Sequence, residues 1–219
     1  MVAVADISAN VFGLCDYYCR VEVFFARQVA MPQSPLCSII TVVYNAESLI
    51  ERTLRSAAHQ TVQDFEHWII DGASSDGTLK VVERYKHARM HVVSERDKGI
   101  YDAMNKGLAH ATGKYVIFMN AGDEFYDSHV LERALKQHDG ADFIYGETAV
   151  VDEAGSILGN RRLSPPAHLN WRSLQRGMCV SHQSIFMRRE LAEPYDLSYR
   201  ISGDIDWTIR MLRKSKSIV

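Results

Sequence analysis

The chain has 219 residues, 47% of them hydrophobic and 24% charged, which is enough to bury a sizeable core as one domain with or without an appendage. Its net charge of −2 by itself excludes nothing. Its four cysteines, Cys15, Cys19, Cys37 and Cys179, have neither the CxxC spacing nor the paired histidines of a zinc site, so they read as reduced, mostly buried thiols of a cytosolic protein.

In chain order, residues 1–34 differ from the rest. Asp6, Asp16, Arg20, Glu22 and Arg27 interrupt every apolar run, so none approaches the roughly 20 residues of a spanning helix. A basic start followed by an unbroken apolar core, as in a signal peptide, is also absent. Residues 1–34 are therefore expected to be an extension, and residues 35–219 the domain. Cys37 to Tyr44 is an almost continuous β-branched run that suits a parallel strand covered on both faces. Leu49, Ile50, Leu54, Ala57 and Ala58 then recur at helical spacing. Strands are expected at His67–Ile70, Met90–Val93, Tyr115–Met119 and Ala141–Tyr145, with helices over Thr78–Lys86 and around Ile100, Met104 and Leu108. This alternation predicts an α/β domain with a mostly parallel sheet wound by helices. The carboxyl end, from Arg213, reads as a tail that stops abruptly after a helix.

Several chemistries lose their support. The chain has no GxxxxGK[ST] loop and no GxGxxG after its first strand. In Gly72-Ala73-Ser74-Ser75-Asp76-Gly77 the second glycine stands one place late for a nucleophile elbow. What remains is a set of polar groups at consecutive strand ends: Tyr44 and Asn45, Asp71, Asp97 and Lys98, and Asp123. In an open α/β sheet such ends converge on one crevice. Carboxylates there accept hydrogen bonds from a base or a ribose, while a lysine and a divalent ion offset diphosphate charge.

The segments CSIITVVYN, IIDGASSDGT, SERDKGIYDAMNKG, YVIFMNAGDEF and ISGDIDW, in that order, resemble the family 2 glycosyltransferases of GT-A fold. They are most similar to the bacterial branch that builds exopolysaccharide, colanic acid and other surface glycans, and the resemblance covers Ser38 to Leu212. It implies a Rossmann-like GT-A sheet and a hexosyl transfer from a nucleotide sugar, with a UDP-sugar favoured. It also implies that Thr41, Tyr44, Asn45 and Asp71 line the base and ribose pocket, and that Asp97, Lys98 and Asn105 lie alongside the donor. Asp123 takes the last position of the DxD-type element, where a carboxylate reaches Mg²⁺ or Mn²⁺. Asn120 and Gly122 stand where acidic residues are frequent, so the nucleotide phosphates must supply much of the coordination. Asp204, in Ser202-Gly203-Asp204-Ile205-Asp206-Trp207, matches the catalytic base, with Asp206 as the alternative base and an N-cap as the alternative role for Asp204. His182, in Ser181-His182-Gln183-Ser184, is expected either at the diphosphate or metal or as a structural hydrogen-bonder.

Asp76 is expected to cap the second helix, and Arg161-Arg162 and Arg188-Arg189 to be solvated, with contact between one pair and the acceptor's phosphate as the alternative. From Arg161 onward there are 11 Lys and Arg against 5 Asp and Glu, whereas the first 160 residues carry 14 against 22. The basic second half is compatible with a lipid-linked acceptor and with peripheral contact at the inner face of the cell membrane. No nucleic-acid partner is expected. A sugar nucleotidyltransferase and a non-catalytic nucleotide-sugar binder are the competing readings. The first would usually carry a glycine-rich basic loop where this chain has Tyr44-Asn45-Ala46-Glu47.

Overall fold

The computed structural model describes residues 34–152 and 155–219, so the expected extension, together with Cys15 and Cys19, lies outside the described residues apart from Ser34. In chain order the elements are β1 (Cys37–Val43), α1 (Ile50–Ala58), β2 (Phe65–Asp71), α2 (Thr78–Arg84), β3 (Met90–Ser94), α3 (Ile100–His110) and β4 (Tyr115–Phe118). They continue with β5 (Phe143–Tyr145), β6 (Ala149–Val151), β7 (Ile157–Asn160), β8 (Ile185–Arg188) and α4 (Gly203–Lys214). A π-helical turn, Glu132–Lys136, and a 3-10 turn, His182–Ser184, lie between them. Strands β6 and β7 form a separate antiparallel ribbon.

The main sheet has the order β3-β2-β1-β4-β8-β5. Strands β3, β2, β1 and β4 are parallel, and β8 runs antiparallel between β4 and β5. All seven residues of β1 are buried because helices cover both faces of the sheet, which is why its sequence is apolar without alternation. The alternation survives in the packing. Ile40 and Val42 join Met104, Leu108, Phe118 and Trp207 in one core cluster, whereas Cys37 and Ile39 join Phe65, Tyr115 and Phe186 in another. Helix α3 approaches the sheet closely at Gly107, where a Cβ would stand 2.3 Å from Ile40 Cγ2.

Two expectations change here. Arg188 and Arg189 are fasteners: Arg188 contacts Asp142 Oδ1 at 3.3 Å and donates to the carbonyls of Gly140 and Ala141, and Arg189 Nε donates to Ala111 O at 3.1 Å. Arg161 likewise donates to Met178 O at 3.3 Å, which leaves Arg162 as the exposed member of its pair. The residues after α4 are also engaged, since Tyr145 N donates to Val219 O at 2.9 Å and Val219 N to Phe143 O at 3.0 Å. Cys37 and Cys179 are free and buried. Among the described residues no helix is long and apolar enough to cross a membrane.

Candidate active site at the strand ends

The first two strand-end loops are laced together. Asn45, at φ 47°, accepts from Ser75 N at 2.8 Å through Oδ1, and its own N–H donates to Ser74 Oγ at 2.8 Å. Left-handed backbone suits an Asn, whose short polar side chain bonds locally. Asp76 Oδ1 accepts from Thr78 N at 3.0 Å and Oδ2 from Glu47 N at 3.2 Å; the N-cap position of α2 belongs to Gly77, so Asp76 steadies the start of the helix from one residue before the expected cap. Glu47 Oε2 in turn accepts from Gly77 N at 2.9 Å.

Above these loops the side chains close on one another. A Cβ at Gly72 would lie 2.6 Å from Asp97 Oδ2 and 3.3 Å from Tyr44 Cδ2, so the missing side chain lets that carboxylate and that ring meet over the end of β2. Tyr44 is 64% exposed, and Lys98 is exposed at the same rim. Asp97 Oδ1 accepts from Gly99 N at 2.9 Å, and Lys98 N donates to Asp102 Oδ2 at 3.0 Å, which fixes the loop leading into α3.

The end of β4 carries Asp123. Buried Thr53 of α1 holds its loop: Oγ1 donates to Asp123 O at 2.7 Å and accepts from Gly122 N at 2.9 Å. Burial raises the pKa of Asp123, and a hydrogen bond from the Gln183 side chain opposes that shift. A half-buried carboxylate that is costly to ionise gains from a cation beside it. Among the described residues no three His, Cys, Asp or Glu side chains lie together as a ready metal cage. One hard oxygen donor fits Mg²⁺ or Mn²⁺, which keep most positions for water and phosphate oxygens.

The 3-10 turn His182–Ser184 links this carboxylate to the next. Gln183 reaches Asp123, while the adjacent His182 lies within the field of Asp204. Asp204 sits in the first turn of α4, and the N-cap position belongs to Ser202, so the capping alternative is not what the structure holds. Asp204 Oδ1 accepts from Tyr101 Oη at 3.4 Å. Asp206 is committed elsewhere, accepting from Arg210 Nε at 2.8 Å, while the same guanidinium bonds Glu193 Oε2 at 3.1 Å and Pro194 O at 3.0 Å.

Not every residue expected here faces the crevice. Thr41 lies within β1 with no exposed surface, and its Oγ1 shares a 2.9 Å hydrogen bond with His67 Nε2. Asp71 also has no exposed surface, and its carboxylate accepts from Ser74 N at 3.1 Å, Ser74 Oγ, and Ser94 Oγ at 2.6 Å. In this structure it organises the loop that follows β2. Both polar atoms of the Asn105 amide are taken by Tyr195, Nδ2 by its carbonyl at 3.0 Å and Oδ1 by its N–H at 2.7 Å. His182 is buried among Phe118, Tyr195 and Trp207, and its Nε2 bonds Tyr195 Oη. Burial, against the charge of Asp204, lowers its pKa to about 4, so at neutral pH it brings no positive charge to a diphosphate. This matches the structural hydrogen-bonder of its two expected roles.

Sequence reasoning passed over Thr53, Tyr101 and Gln183. Gln183 and Tyr101 stand inside quoted segments and were within reach, whereas Thr53 looks like any polar residue of an amphipathic helix. An open concavity of about 430 Å³ between Arg52 and Arg55 of α1, His59 just after it and the segment 124–128 includes none of the site residues.

Comparison with known proteins supports the same architecture. The family model described as Glycosyl transferase family 2 matches residues 38–195. A PGL/p-HBAD biosynthesis glycosyltransferase of Mycobacterium tuberculosis is 33% identical over 186 residues, covering 81% of this chain and 70% of the relative. The putative teichuronic acid biosynthesis glycosyltransferase TuaG of Bacillus subtilis is 39% identical over 186 residues, covering 82% and 73%. Among solved structures, S. aureus TarS 1-349 in complex with UDP-GlcNAc superposes with a TM-score of 0.69 at 21% identity, over 83% of this chain and 54% of that one. The mannosyltransferase PcManGT from Pyrobaculum calidifontis, in complex with GDP-Man and Mn²⁺, gives 0.61 at 20% identity over 86% and 55%. The chain thus spans little more than half the length of these structures, whose likeness is one of fold. With most of its length matched by the family model, and with five motifs in order on a GT-A sheet, this chain belongs to glycosyl transferase family 2.

Proposed function

We propose that the chain is an inverting glycosyltransferase that moves a hexosyl group from a nucleoside diphosphate donor, preferentially a UDP-sugar, to a hydroxyl of a lipid-linked glycan in surface polysaccharide synthesis. The observation that carries this reading is the division of labour between two carboxylates joined by one turn. Asp123 is half-buried beside Gln183, and Asp204 has no ion-pair partner among the described residues. Asp204 accepts the acceptor's proton as its oxygen bonds to the anomeric carbon. The bond from that carbon to the diphosphate breaks, and the nucleoside diphosphate leaves with the electron pair. Asp206, already paired with Arg210, is the poorer base. Asp123 would hold Mg²⁺ or Mn²⁺, which when bound offsets charge on the leaving diphosphate. Tyr44, Asn45, Asp97 and Lys98 bind and orient the donor from the rim. Asp71 shapes the nucleotide side of the crevice, and Thr41, Asn105 and His182 act from behind it.

The names of the mycobacterial and Bacillus relatives, in PGL/p-HBAD and teichuronic acid biosynthesis, support a cell-surface glycan as product. The nucleotide in the TarS complex supports UDP, and the Mn²⁺ of PcManGT supports a divalent cation. The exposed guanidiniums of Arg172 and Arg213 both pack on the Trp171 ring, at 4.5 and 4.4 Å. That arrangement supports peripheral contact with an anionic membrane at its cytoplasmic face.

The test is incubation with UDP-, GDP- and dTDP-sugars plus lipid-linked acceptor, followed by chromatography of the nucleotide products. Nucleoside diphosphate released in step with glycan extension supports the reading. Pyrophosphate release, or no release with any donor, refutes it. Asp204→Asn lowers single-turnover transfer by about 10² to 10⁴ with UDP affinity retained. If Asp206→Asn abolishes transfer while Asp204→Asn does not, the base is misassigned.

A further inference from the structure

We propose that Tyr101 is a positioning residue for sugar transfer. Its phenol fixes the Asp204 carboxylate and ties it to the donor-side loop two residues upstream, so that base and donor loop act as one unit. This rests on the reading of Asp204 as proton acceptor.

The first turn of a helix leaves its N–H groups unsatisfied, and a side chain at the N-cap usually answers one of them. At α4 the N-cap residue, Ser202, is left-handed at φ 65° and makes no side-chain cap. Tyr101, on the first turn of α3, takes that place: its Oη accepts from Gly203 N at 2.9 Å and donates to Asp204 Oδ1 at 3.4 Å. One phenol oxygen therefore terminates α4 and touches the carboxylate beside that terminus. Burial, and next the charge of Asp204, raises the Tyr101 pKa, so the phenol keeps the proton it donates.

The ring cannot swing away easily. It stacks on Tyr195 with centroids 5.5 Å apart, and Tyr195 stacks on Trp207 at 5.2 Å. A Cβ at Gly203 would lie 2.8 Å from Tyr101 Cε2, so the glycine of Ser202-Gly203-Asp204 is what admits the ring. Tyr195 and His182 also lie in the field of Asp204, but Tyr195 Oη and His182 Nε2 bond each other, and among the described residues the side chain shown donating to the Asp204 carboxylate is Tyr101. Tyr101 follows Asp97, Lys98 and Gly99 directly through Ile100, so a displacement of the donor-side loop is carried to the base through a single side chain.

The test is a double-mutant cycle on the full chain with Tyr101→Phe, Asp204→Asn and the pair, using single-turnover transfer at saturating donor and calorimetry with UDP. Tyr101→Phe keeps the ring and its stacking. Its expected signature is a rate lower by about 10- to 100-fold with UDP affinity within about twofold of the parent. Adding it to Asp204→Asn has no further effect, because it acts through a group already removed. Gly203→Ala, whose Cβ would collide with the ring, reproduces the loss of rate with retained UDP binding and serves if Tyr101→Phe does not fold. A parental rate for both variants overturns the inference. So does an equal further loss in the Asp204→Asn background, or a fall in UDP affinity that accounts for the rate. If Asp204→Asn alone transfers normally, the reading of the base fails, and that shows in the single variant before the cycle is closed.

Discussion

Asp123→Asn is expected to move activity and stability in opposite directions. Burial raises the pKa of this carboxylate, so the fold carries a penalty for its ionised form. For a group whose folded pKa is raised, the favourable contribution is present below the unfolded pKa, near 3.8, and is lost as pH rises through the folded value. At pH 7 the ionised side chain is therefore a cost, and a neutral amide of the same shape removes it. The loop should hold its place, because Asp123 N bonds Asn120 O at 3.0 Å and Asp123 O accepts from Thr53 at 2.7 Å, both through the backbone. An amide oxygen also still accepts from Gln183. Melting of the metal-free variant by calorimetry at pH 7 should thus give a midpoint equal to or above that of the parent, with the difference closing toward pH 4. Transfer should fall by about 10² or more, as for loss of a group that anchors charge stabilisation at the leaving diphosphate. The assay is nucleoside diphosphate release against Mn²⁺ and Mg²⁺ concentration, with a chelator control. Near-normal turnover with an unchanged response to chelator would refute the metal role, and a lowered midpoint would refute the argument from burial.

Thr53→Val keeps shape but strands Gly122 N–H and the Asp123 carbonyl, at about 1–3 kcal/mol of stability. It should also raise the metal concentration for half-maximal turnover, and Thr53→Ser should restore both. Gly107→Ala gains about 1 kcal/mol in helix propensity. It nevertheless destabilises overall, since its Cβ would meet Ile40 Cγ2 at 2.3 Å in a fully buried strand and overpacking costs about 1–3 kcal/mol or more; denaturant titration decides the sign. For Glu66, burial alone would raise the pKa, but hydrogen bonds from Ser38 and Thr112 prevail and lower it below 4.5. Its contribution is present above the unfolded pKa and lost as pH falls through the folded one. The melting deficit of Glu66→Gln is therefore expected to be full at pH 7 and to shrink below about pH 4.5, and a pH-independent deficit would count against it.

The first half of the domain was legible because each strand from Cys37 to Met119 is a run of apolar residues ending in a polar group, and the ends of the first three do meet around Gly72. The reading erred in depth. Thr41 belongs to the same motif as Tyr44 and Asn45 but lies inside the strand, and a one-dimensional motif does not separate the part that faces a ligand from the part that packs beneath it. Asn105 and His182 show the same limit, because both serve to hold Tyr195. Arg188 and Arg189 were misread as solvated because a doubled arginine looks like surface until the carbonyls around it are known. The ribbon of β6 and β7 and the place of β8 had no signal, since nothing in a short apolar run names the strand it will pair with.

The place of β8 also governs the order in which the molecule can assemble. Its partners β4 and β5 both precede it by a long stretch of chain, and β4 pairs with β1 on one side only until residues 185–188 arrive. During synthesis the four parallel strands are available early and form from comparatively local contacts, while one edge of β4 stays bare. The turn that brings Gln183 to Asp123 comes with β8, and α4 later still. Tyr44, Gly72 and Asp97 therefore all lie on chain that is synthesised before the turn that supports Asp123 and before the first turn of α4 that carries Asp204.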